Sequence, residues 1–280
     1  MSRVVAEWAA RGRPFEALGV ASRVWEAGEG PPVVCLHGVP ASAFAYRKLL
    51  HELALRGRRA VAFDLPGLGL AARPAGFDYS WTGLARWVDA ALEALGLDAG
   101  VHLVVHDIGG PVGFDAVRLR PGRIAGLTVL DTVVRVATFT RPWSMQPFAV
   151  PGLRRAWLAT PRPAFRVLMR LQGMGSPVPD AEIDAYHELL RREDGGEAFL
   201  RIMAGFERTP AFEARILAAL GERAFPAQIL WGRDDTALPL ATHGEDARAA
   251  LGLDAITPLP GRHFVMEDAP AEIAAAVVRL

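Results

Sequence analysis

One segment of the chain, VVHDIGGPVG, places a carboxylate where nucleophilic chemistry could occur. Asp107 follows an apolar run typical of a strand and precedes a helical pattern, with Gly109 and Gly110 close behind it. Small residues at these positions allow a sharp, strained turn that projects one side chain above the edge of a sheet. The pattern therefore indicates a carboxylate nucleophile, although an aspartate that caps the following helix explains this segment alone equally well.

Three other segments contain groups that could assist such a nucleophile. The segment LPGRHFVMEDAP places His263 in a predicted loop, and ILWGRDDTALP places Asp234 and Asp235 directly after a predicted strand. The turn LHGVP can aim the backbone N–H of Val39 at the same point as that of Ile108, which would form an oxyanion hole. In chain order the side chains read as nucleophile, acid and base, the order found in α/β enzymes that use such a turn.

Short β-branched runs alternate with stretches of helical period, which predicts a mostly parallel sheet flanked by helices. Strands are expected near residues 20–26, 33–36, 59–63, 101–106, 127–131, 227–231 and 255–259, and a helix over 82–95. The alternation stops in a stretch rich in proline and aromatic residues, which predicts an all-helical cap inserted above the sheet. The expected division is a core over 1–135, a cap over 136–215 and a second part of the core over 216–280.

Composition argues against several classes of partner. The 31 basic residues match 31 acidic ones, so no basic surface for nucleic acid or for an anionic membrane is expected. A single cysteine, Cys35, cannot form an internal disulfide, and the charged N-terminal segment lacks the apolar run of a signal peptide. We therefore expect a cytoplasmic protein, a monomer or homodimer, that acts on a small molecule.

No cofactor or metal is predicted. The glycine-rich segment 67–72 matches a dinucleotide-binding fingerprint, but Arg73 and Pro74 interrupt the helix that would hold the pyrophosphate. His51 and His187 are each followed by glutamate, yet neither has the second histidine that a zinc-protease helix needs.

Over essentially its whole length the chain resembles the α/β-hydrolases with an aspartate nucleophile, the group that contains haloalkane dehalogenases and epoxide hydrolases. The matching segments are HGVP, which contains His37, Gly38 and Pro40, FDLPGLG at 63–69, HDIGG, WGRDD and GRHF. The resemblance implies an α/β-hydrolase fold and a reaction that passes through a covalent alkyl ester.

The same resemblance assigns roles to individual residues. It implies that Asp107 is the nucleophile, His263 the general base and Asp235 the acid that orients the base. It also implies that Val39 and Ile108 form the oxyanion hole. Some haloalkane dehalogenases carry the acid after the preceding strand, where Asp131 lies in this chain, so Asp131 is the alternative acid.

The leaving group distinguishes the two activities of the group. Haloalkane dehalogenases typically hold the halide with a tryptophan directly after the nucleophile and with a second side chain elsewhere, whereas this chain has Ile108 and Val39 at the matching positions. Trp143 in the predicted cap could supply one indole N–H. Epoxide hydrolases use acidic cap residues, usually two tyrosines or a histidine and a tyrosine, which Tyr186 and His187 would fit. The pattern favours an epoxide hydrolase acting on a small hydrophobic substrate, with a haloalkane dehalogenase and a non-catalytic ligand-binding protein as alternatives.

Overall fold

The apolar runs of the sequence form one eight-stranded sheet in a computed structural model that describes residues 1–280. The strands are β1 (Arg13–Ala17), β2 (Val20–Ala27), β3 (Pro32–Leu36), β4 (Arg59–Phe63), β5 (Val101–Asp107), β6 (Ile124–Thr132), β7 (Ala227–Gly232) and β8 (Thr257–Leu259). Their order in the sheet is β1-β2-β4-β3-β5-β6-β7-β8. Strand β2 pairs antiparallel with β1 and β4, and every other pair is parallel, which confirms the predicted architecture.

Twelve α-helices accompany the sheet. They are α1 (Arg3–Arg11), α2 (Arg47–Ala54), α3 (Trp81–Ala94), α4 (Gly109–Leu119), α5 (Arg154–Leu158), α6 (Arg162–Leu168), α7 (Asp180–Arg191), α8 (Glu197–Ala204), α9 (Pro210–Gly221), α10 (Glu245–Leu251), α11 (Val265–Asp268) and α12 (Pro270–Arg279). Shorter 3-10 turns lie at Ala43–Tyr46, Pro121–Arg123 and Trp143–Ala149, and π-helical turns at Met169–Gly173 and Leu240–Gly244. None of the helices has the length and apolar character needed to cross a membrane.

The sheet separates two apolar layers, because successive side chains of a strand point to opposite faces. Leu103 and Val105 of β5 pack in the layer that contains residues of α3, α4 and α9, while Val104 packs in the layer that contains residues of α2 and α12. Burial on both faces explains why the central strands are continuous apolar runs rather than alternating ones.

Strand β1 was not predicted from the sequence. Its five residues include Pro14, and it lies at the edge of the sheet, where it pairs only with β2. Proline cannot donate to a neighbouring strand and is tolerated mainly at such edges, so the segment carries little strand signal of its own.

Only helices and turns lie between β6 and β7. We call this segment, residues 133–226, the insertion. The division into core and cap stays a prediction, and its boundary at residue 215 would cut α9, a helix that packs against α4 and α10. The insertion begins at the carboxyl end of β6, at the edge of the sheet where sites of α/β proteins form.

Candidate active site

Asp107 lies at the end of β5, where the chain turns sharply into α4. Its φ of +51° falls in the left-handed region that side-chain-bearing residues rarely adopt, so the turn is strained. Glycine makes this turn possible, because a Cβ atom at Gly109 would lie 2.4 Å from the carbonyl oxygen of Leu36. A Cβ atom at Gly110 would lie 1.9 Å from Oγ1 of Thr132. The strained turn presents the candidate nucleophile as the sequence predicts.

A backbone donor already contacts this carboxylate. The N–H of Val39 donates to Oδ1 of Asp107 at 2.9 Å. Gly38 allows the approach, since a Cβ atom there would lie 2.3 Å from the Cβ of Asp107. Ile108 and Pro40 line the same cavity as Val39 and Asp107. Donors at this point can hold the negative charge that develops on Oδ1 when the carboxyl carbon is attacked.

His37 holds the turn that carries Val39. Its Nε2 atom accepts from the backbone N–H of Leu65 at 3.0 Å, so Nδ1 carries the proton and donates to the carbonyl oxygen of Gly38 at 3.0 Å. Burial lowers the pKa of His37 to about 4, which keeps the ring neutral in this arrangement. The histidine therefore acts as a structural connection between the turn and the segment after β4.

His263 lies between two carboxylates. Its Nδ1 atom is 2.9 Å from Oδ2 of Asp235, and its Nε2 atom is 3.5 Å from Oδ2 of Asp107. Asp235 is buried, and its Oδ1 atom accepts from the backbone N–H groups of Ala237 and Leu238 at 2.7 and 3.0 Å. These bonds fix the carboxylate, which in turn fixes the tautomer and orientation of the imidazole. Asp234 is exposed and takes no part.

The charges of Asp107, His263 and Asp235 stabilise one another. Burial would raise the pKa of Asp107, but the hydrogen bond and positive charge of His263 outweigh burial and hold that pKa below its ordinary value. Burial would lower the pKa of His263, but the carboxylates of Asp235 and Asp107 raise it well above its ordinary value. These shifts favour an ion pair between Asp107 and His263, with the carboxylate of Asp235 on the other side of the imidazole.

Asp131, the alternative acid, is also buried here. Its Oδ1 atom accepts from the N–H of Gly232 at 2.9 Å, and no hydrogen bond satisfies Oδ2. Burial and the negative charge of Asp235 raise its pKa well above the ordinary value. The structure brings both candidate acids together, but only Asp235 hydrogen-bonds to His263, and the raised pKa of Asp131 favours its protonated form.

A second histidine, which sequence analysis did not single out, contacts the loop that carries His263. His106 precedes the nucleophile, and its Nε2 atom lies 2.8 Å from the carbonyl oxygen of His263. Burial lowers the pKa of His106 to about 3, so the ring is neutral and its Nε2–H donates. The available signal was its position in β5 directly before Asp107.

One cavity opens over the nucleophile, between the sheet and the insertion. The cavity has a volume of about 80 Å³. The lining is mainly apolar and comprises Val39, Pro40, Trp81, Asp107, Ile108, Pro111, Val133, Phe139, Arg141, Pro142, Ser144, Met145, Phe165, Leu168, Met169, Gln172, Gly173, Met203, Phe206, Ala237, Leu238, His263 and Phe264. The described residues contain no group of three or more histidine, cysteine, aspartate or glutamate side chains that could hold a metal ion.

A family described as alpha/beta hydrolase fold matches residues 31–172, just over half of the chain. The chain belongs to the alpha/beta hydrolase fold family. Together with the contacts among Asp107, His263 and Asp235, this membership identifies an enzyme of the hydrolase class and confirms the resemblance found in the sequence.

Individual relatives of this hydrolase agree in length and fold. It is 29% identical over 265 residues to haloalkane dehalogenase 2 of Mycobacterium tuberculosis, which covers 90% of this chain and 88% of that protein. An alpha/beta hydrolase fold protein from Burkholderia ambifaria is 26% identical, with a TM-score of 0.80 over 96% of this chain and 97% of that one. The haloalkane dehalogenase DatA from Agrobacterium tumefaciens is 24% identical, with a TM-score of 0.78 over 96% and 94%, and shows the shared fold.

The residues suggested for the leaving group do not lie where the sequence led us to expect. The hydroxyl of Tyr186 donates to Oε1 of Glu267, away from the cavity lining. His187 lies 3.0 Å from the carbonyl oxygen of Thr160 through its Nε2 atom, and Trp143 is 60% exposed. The buried face of α7, which carries Tyr186, packs on the core rather than over Asp107. None of the three residues lines the cavity of this hydrolase.

Other polar side chains, which sequence reasoning missed, line the cavity instead. Gln172 lies in the π-helical turn, and its Nε2 atom is buried without a hydrogen-bond partner. Trp81 begins α3, and its Nε1 atom is likewise buried without a partner. The only signal for Gln172 was a single glutamine within an apolar segment. The π-helical turn is held next to the loop that carries His263 because the N–H of Phe264 donates to the carbonyl oxygen of Gly173 at 2.7 Å.

Proposed function

We propose that this hydrolase is a dehalogenase that converts a small haloalkane into an alcohol through a covalent ester on Asp107. The observation that carries the proposal is the type of polar group around the cavity. Two of its lining residues, Gln172 and Trp81, each have a buried N–H donor without a partner, and no tyrosine lines it. This favours an anionic leaving group that departs without a proton over an alkoxide that must receive one.

All three tyrosine hydroxyls have partners elsewhere. Tyr46 donates to the carbonyl oxygen of Leu36 at 2.9 Å, Tyr79 to that of Pro74 at 3.1 Å, and Tyr186 to Glu267. An epoxide opens to an alkoxide, a poor leaving group that requires general-acid catalysis. The acid that we expected from Tyr186 is absent from the cavity, which weakens the case for epoxide opening.

The donors of Gln172 and Trp81 suit a halide. A glutamine amide and an indole N–H donate hydrogen bonds but do not release protons near neutral pH. Each is buried without a partner, a state that costs about 1–3 kcal/mol and calls for a functional explanation. A halide leaving the carbon that Asp107 attacks would supply the missing acceptor.

The reaction follows from the arrangement of charges. Ionised Asp107 attacks the saturated carbon in line, the carbon–halogen bond breaks and halide departs with the electron pair. Formation of the ester neutralises Asp107, so His263 can release its proton to solvent; the neutral imidazole then takes a proton from water, and the resulting hydroxide attacks the carboxyl carbon of the ester. The N–H groups of Val39 and Ile108 stabilise the tetrahedral oxyanion before the alcohol leaves. The net change consumes one water and releases alcohol, halide and a proton.

The size of the cavity limits the substrate. Because one water molecule needs roughly 10–15 Å³ of such space, the cavity has room for about five to eight non-hydrogen atoms. The relatives named as haloalkane dehalogenases support the reaction type, at the identities given above.

The experiment compares 1-chlorobutane with 1,2-epoxybutane, which have the same number of non-hydrogen atoms. We expect chloride release from the first at a kcat/KM at least about 10-fold above diol formation from the second. The Asp107→Ala variant is the control and should release no chloride. Diol formation without chloride release would replace the proposal with epoxide hydrolysis, and binding of both compounds without any product would indicate a ligand-binding protein.

A further inference from the structure

Three charged side chains line the cavity: Asp107, His263 and Arg141. The first two form an ion pair, so their charges offset one another in the resting site. Arg141 has no role in the reaction described above. It leaves the cavity with one positive charge more than the chemistry at Asp107 requires.

The guanidinium of Arg141 is held against the cavity wall. Its Nη2 atom donates to the carbonyl oxygen of Met203 at 2.7 Å, and its Cζ atom lies 5.1 Å from the centre of the Phe206 ring. Met203 and Phe206 themselves line the cavity. The Nε atom is buried and has no hydrogen-bond partner. The side chain is thus fixed in place while part of its donor capacity is unused.

No carboxylate compensates this charge. Burial, followed by the positive charge of nearby Arg208, lowers the pKa of Arg141, and no acidic residue contributes to the shift. Arg47, which is more deeply buried than Arg141, instead pairs with Glu182 and Glu267. A half-buried cation without a counter-ion has lost part of its hydration, and a bound anion would offset that cost.

We propose that Arg141 is a subsite for a carboxylate carried by the substrate, at the end remote from the carbon that Asp107 attacks. A guanidinium presents paired N–H donors that match the two oxygens of a carboxylate. The substrate class is then a short halocarboxylic acid rather than an uncharged haloalkane. The choice of reaction rests on the proposed function, but binding of the carboxylate at Arg141 does not.

Binding is measured without turnover, by ligand-observed NMR at about pH 7.5, where the carboxylate is ionised. The probes are butyrate and butyramide, which have the same size and differ in charge. The variants are Arg141→Met, which removes the charge, and Arg141→Lys, which keeps it. Arg208→Met is the matched control, because Arg208 is exposed and does not line the cavity.

The wild-type protein should bind butyrate at least about 10-fold more tightly than butyramide. Loss of a hydrogen bond between charged groups predicts that Arg141→Met weakens butyrate binding about 10-fold to 100-fold. Butyramide binding should change less than about 3-fold, Arg141→Lys should retain part of the preference, and Arg208→Met should keep most of it. Equal binding of the two probes by the wild-type protein, or equal losses in the variants of Arg141 and Arg208, would overturn the subsite.

Two further measurements separate this inference from the reaction. Sodium bromide is titrated into the same proteins, and a loss of bromide binding in Arg141→Met with butyrate binding intact would assign Arg141 to the leaving group and overturn the carboxylate subsite. Turnover of 3-chloropropionate should exceed that of 3-chloropropionamide in kcat/KM, and Arg141→Met should remove the difference. If neither of these compounds nor 1-chlorobutane reacts while butyrate binds through Arg141, the proposed function is wrong and the subsite stands.

Discussion

The Nε2 atom of His263 lies 3.5 Å from Oδ2 of Asp107, so the two side chains stabilise each other's charge. This contact lowers the pKa of Asp107 and contributes to the raised pKa of His263. Formation of the ester neutralises Asp107 and removes that contribution. The pKa of His263 should therefore fall in the alkyl-enzyme, at the stage when the imidazole must accept a proton from water.

Replacing His263 should separate the two steps of the reaction. In His263→Gln, Asp107 can still attack the substrate, but no base activates the water that hydrolyses the ester. We expect the alkyl-enzyme to accumulate, which intact-protein mass spectrometry detects as the added mass of the alkyl group. Asp107→Ala, the control, should acquire no adduct. Normal turnover by His263→Gln would show that another group is the base.

The two steps should also differ in their dependence on pH. Because the pKa of Asp107 is lowered, alkylation should stay nearly constant as the pH falls from about 8 to about 5.5. Ester hydrolysis needs neutral His263, whose raised pKa means that the rate should decline towards acid pH. Rapid-quench measurement of each step tests this. A hydrolysis rate that is flat over the same range would contradict the role of His263 as base.

Substitution of Asp235 should reduce activity strongly, whereas substitution of Asp131 should have little effect on activity. Asp235→Asn removes the carboxylate that orients His263, and ester hydrolysis should slow by about 100-fold or more, in the range typical of lost general-base function. Asp131→Asn replaces a neutral carboxylic acid by an amide of the same shape, so activity should change less than about 3-fold. A larger loss in Asp131→Asn than in Asp235→Asn would make Asp131 the catalytic acid.

Asp131→Asn should also stabilise the fold in a pH-dependent manner. The pKa of Asp131 is raised in the folded protein, whereas in the unfolded chain it is about 3.9, so wild-type stability from this group falls as the pH rises above that value. Asparagine does not titrate, and the advantage of the variant should grow with pH by at most about 1.4 kcal/mol per unit. Urea unfolding at about pH 5 and pH 8 measures the difference. An equal effect at both values would show that Asp131 is ionised in the folded protein.

The leaving-group assignment is tested by three further variants. Gln172→Met keeps the size of the side chain and removes its N–H donors, so alkylation should slow more for a chloroalkane than for the matching iodoalkane, because chloride needs more stabilisation. Gln146→Met is the control, since Gln146 is an exposed glutamine of the insertion. Tyr186→Phe should lower stability by about 1–3 kcal/mol through the lost bond to Glu267 and leave alkylation unchanged. Slower alkylation in Tyr186→Phe alone would restore the tyrosine to the reaction.

The sequence by itself predicted the parallel part of the sheet and the candidate nucleophile, base and orienting acid. Asp107, Val39 and Asp235 each lie in or directly after a turn that follows an apolar strand. In a parallel sheet the carboxyl ends of all strands lie at one edge. Residues that the sequence places at the ends of these strands are therefore close together in the structure. Glycine is required at 109 and 110 because the turn lies close to Leu36 and Thr132 of the neighbouring strands, and both glycines follow closely after Asp107 in the sequence, where they can be recognised.

Only the tertiary structure decided what surrounds the leaving group. The helices of the insertion bury apolar faces against both the core and the cavity, and periodicity does not distinguish the two environments. The sequence therefore predicted Tyr186 as an acid in the cavity, although its helix packs on the core. Arg141 and Gln172 lie in no sequence pattern that predicts their position in the cavity lining. The position of each side chain depends on contacts between segments far apart in the chain, such as Arg141 with Met203 and Gly173 with Phe264. Such contacts have no local sequence signature, because they depend on how whole helices pack.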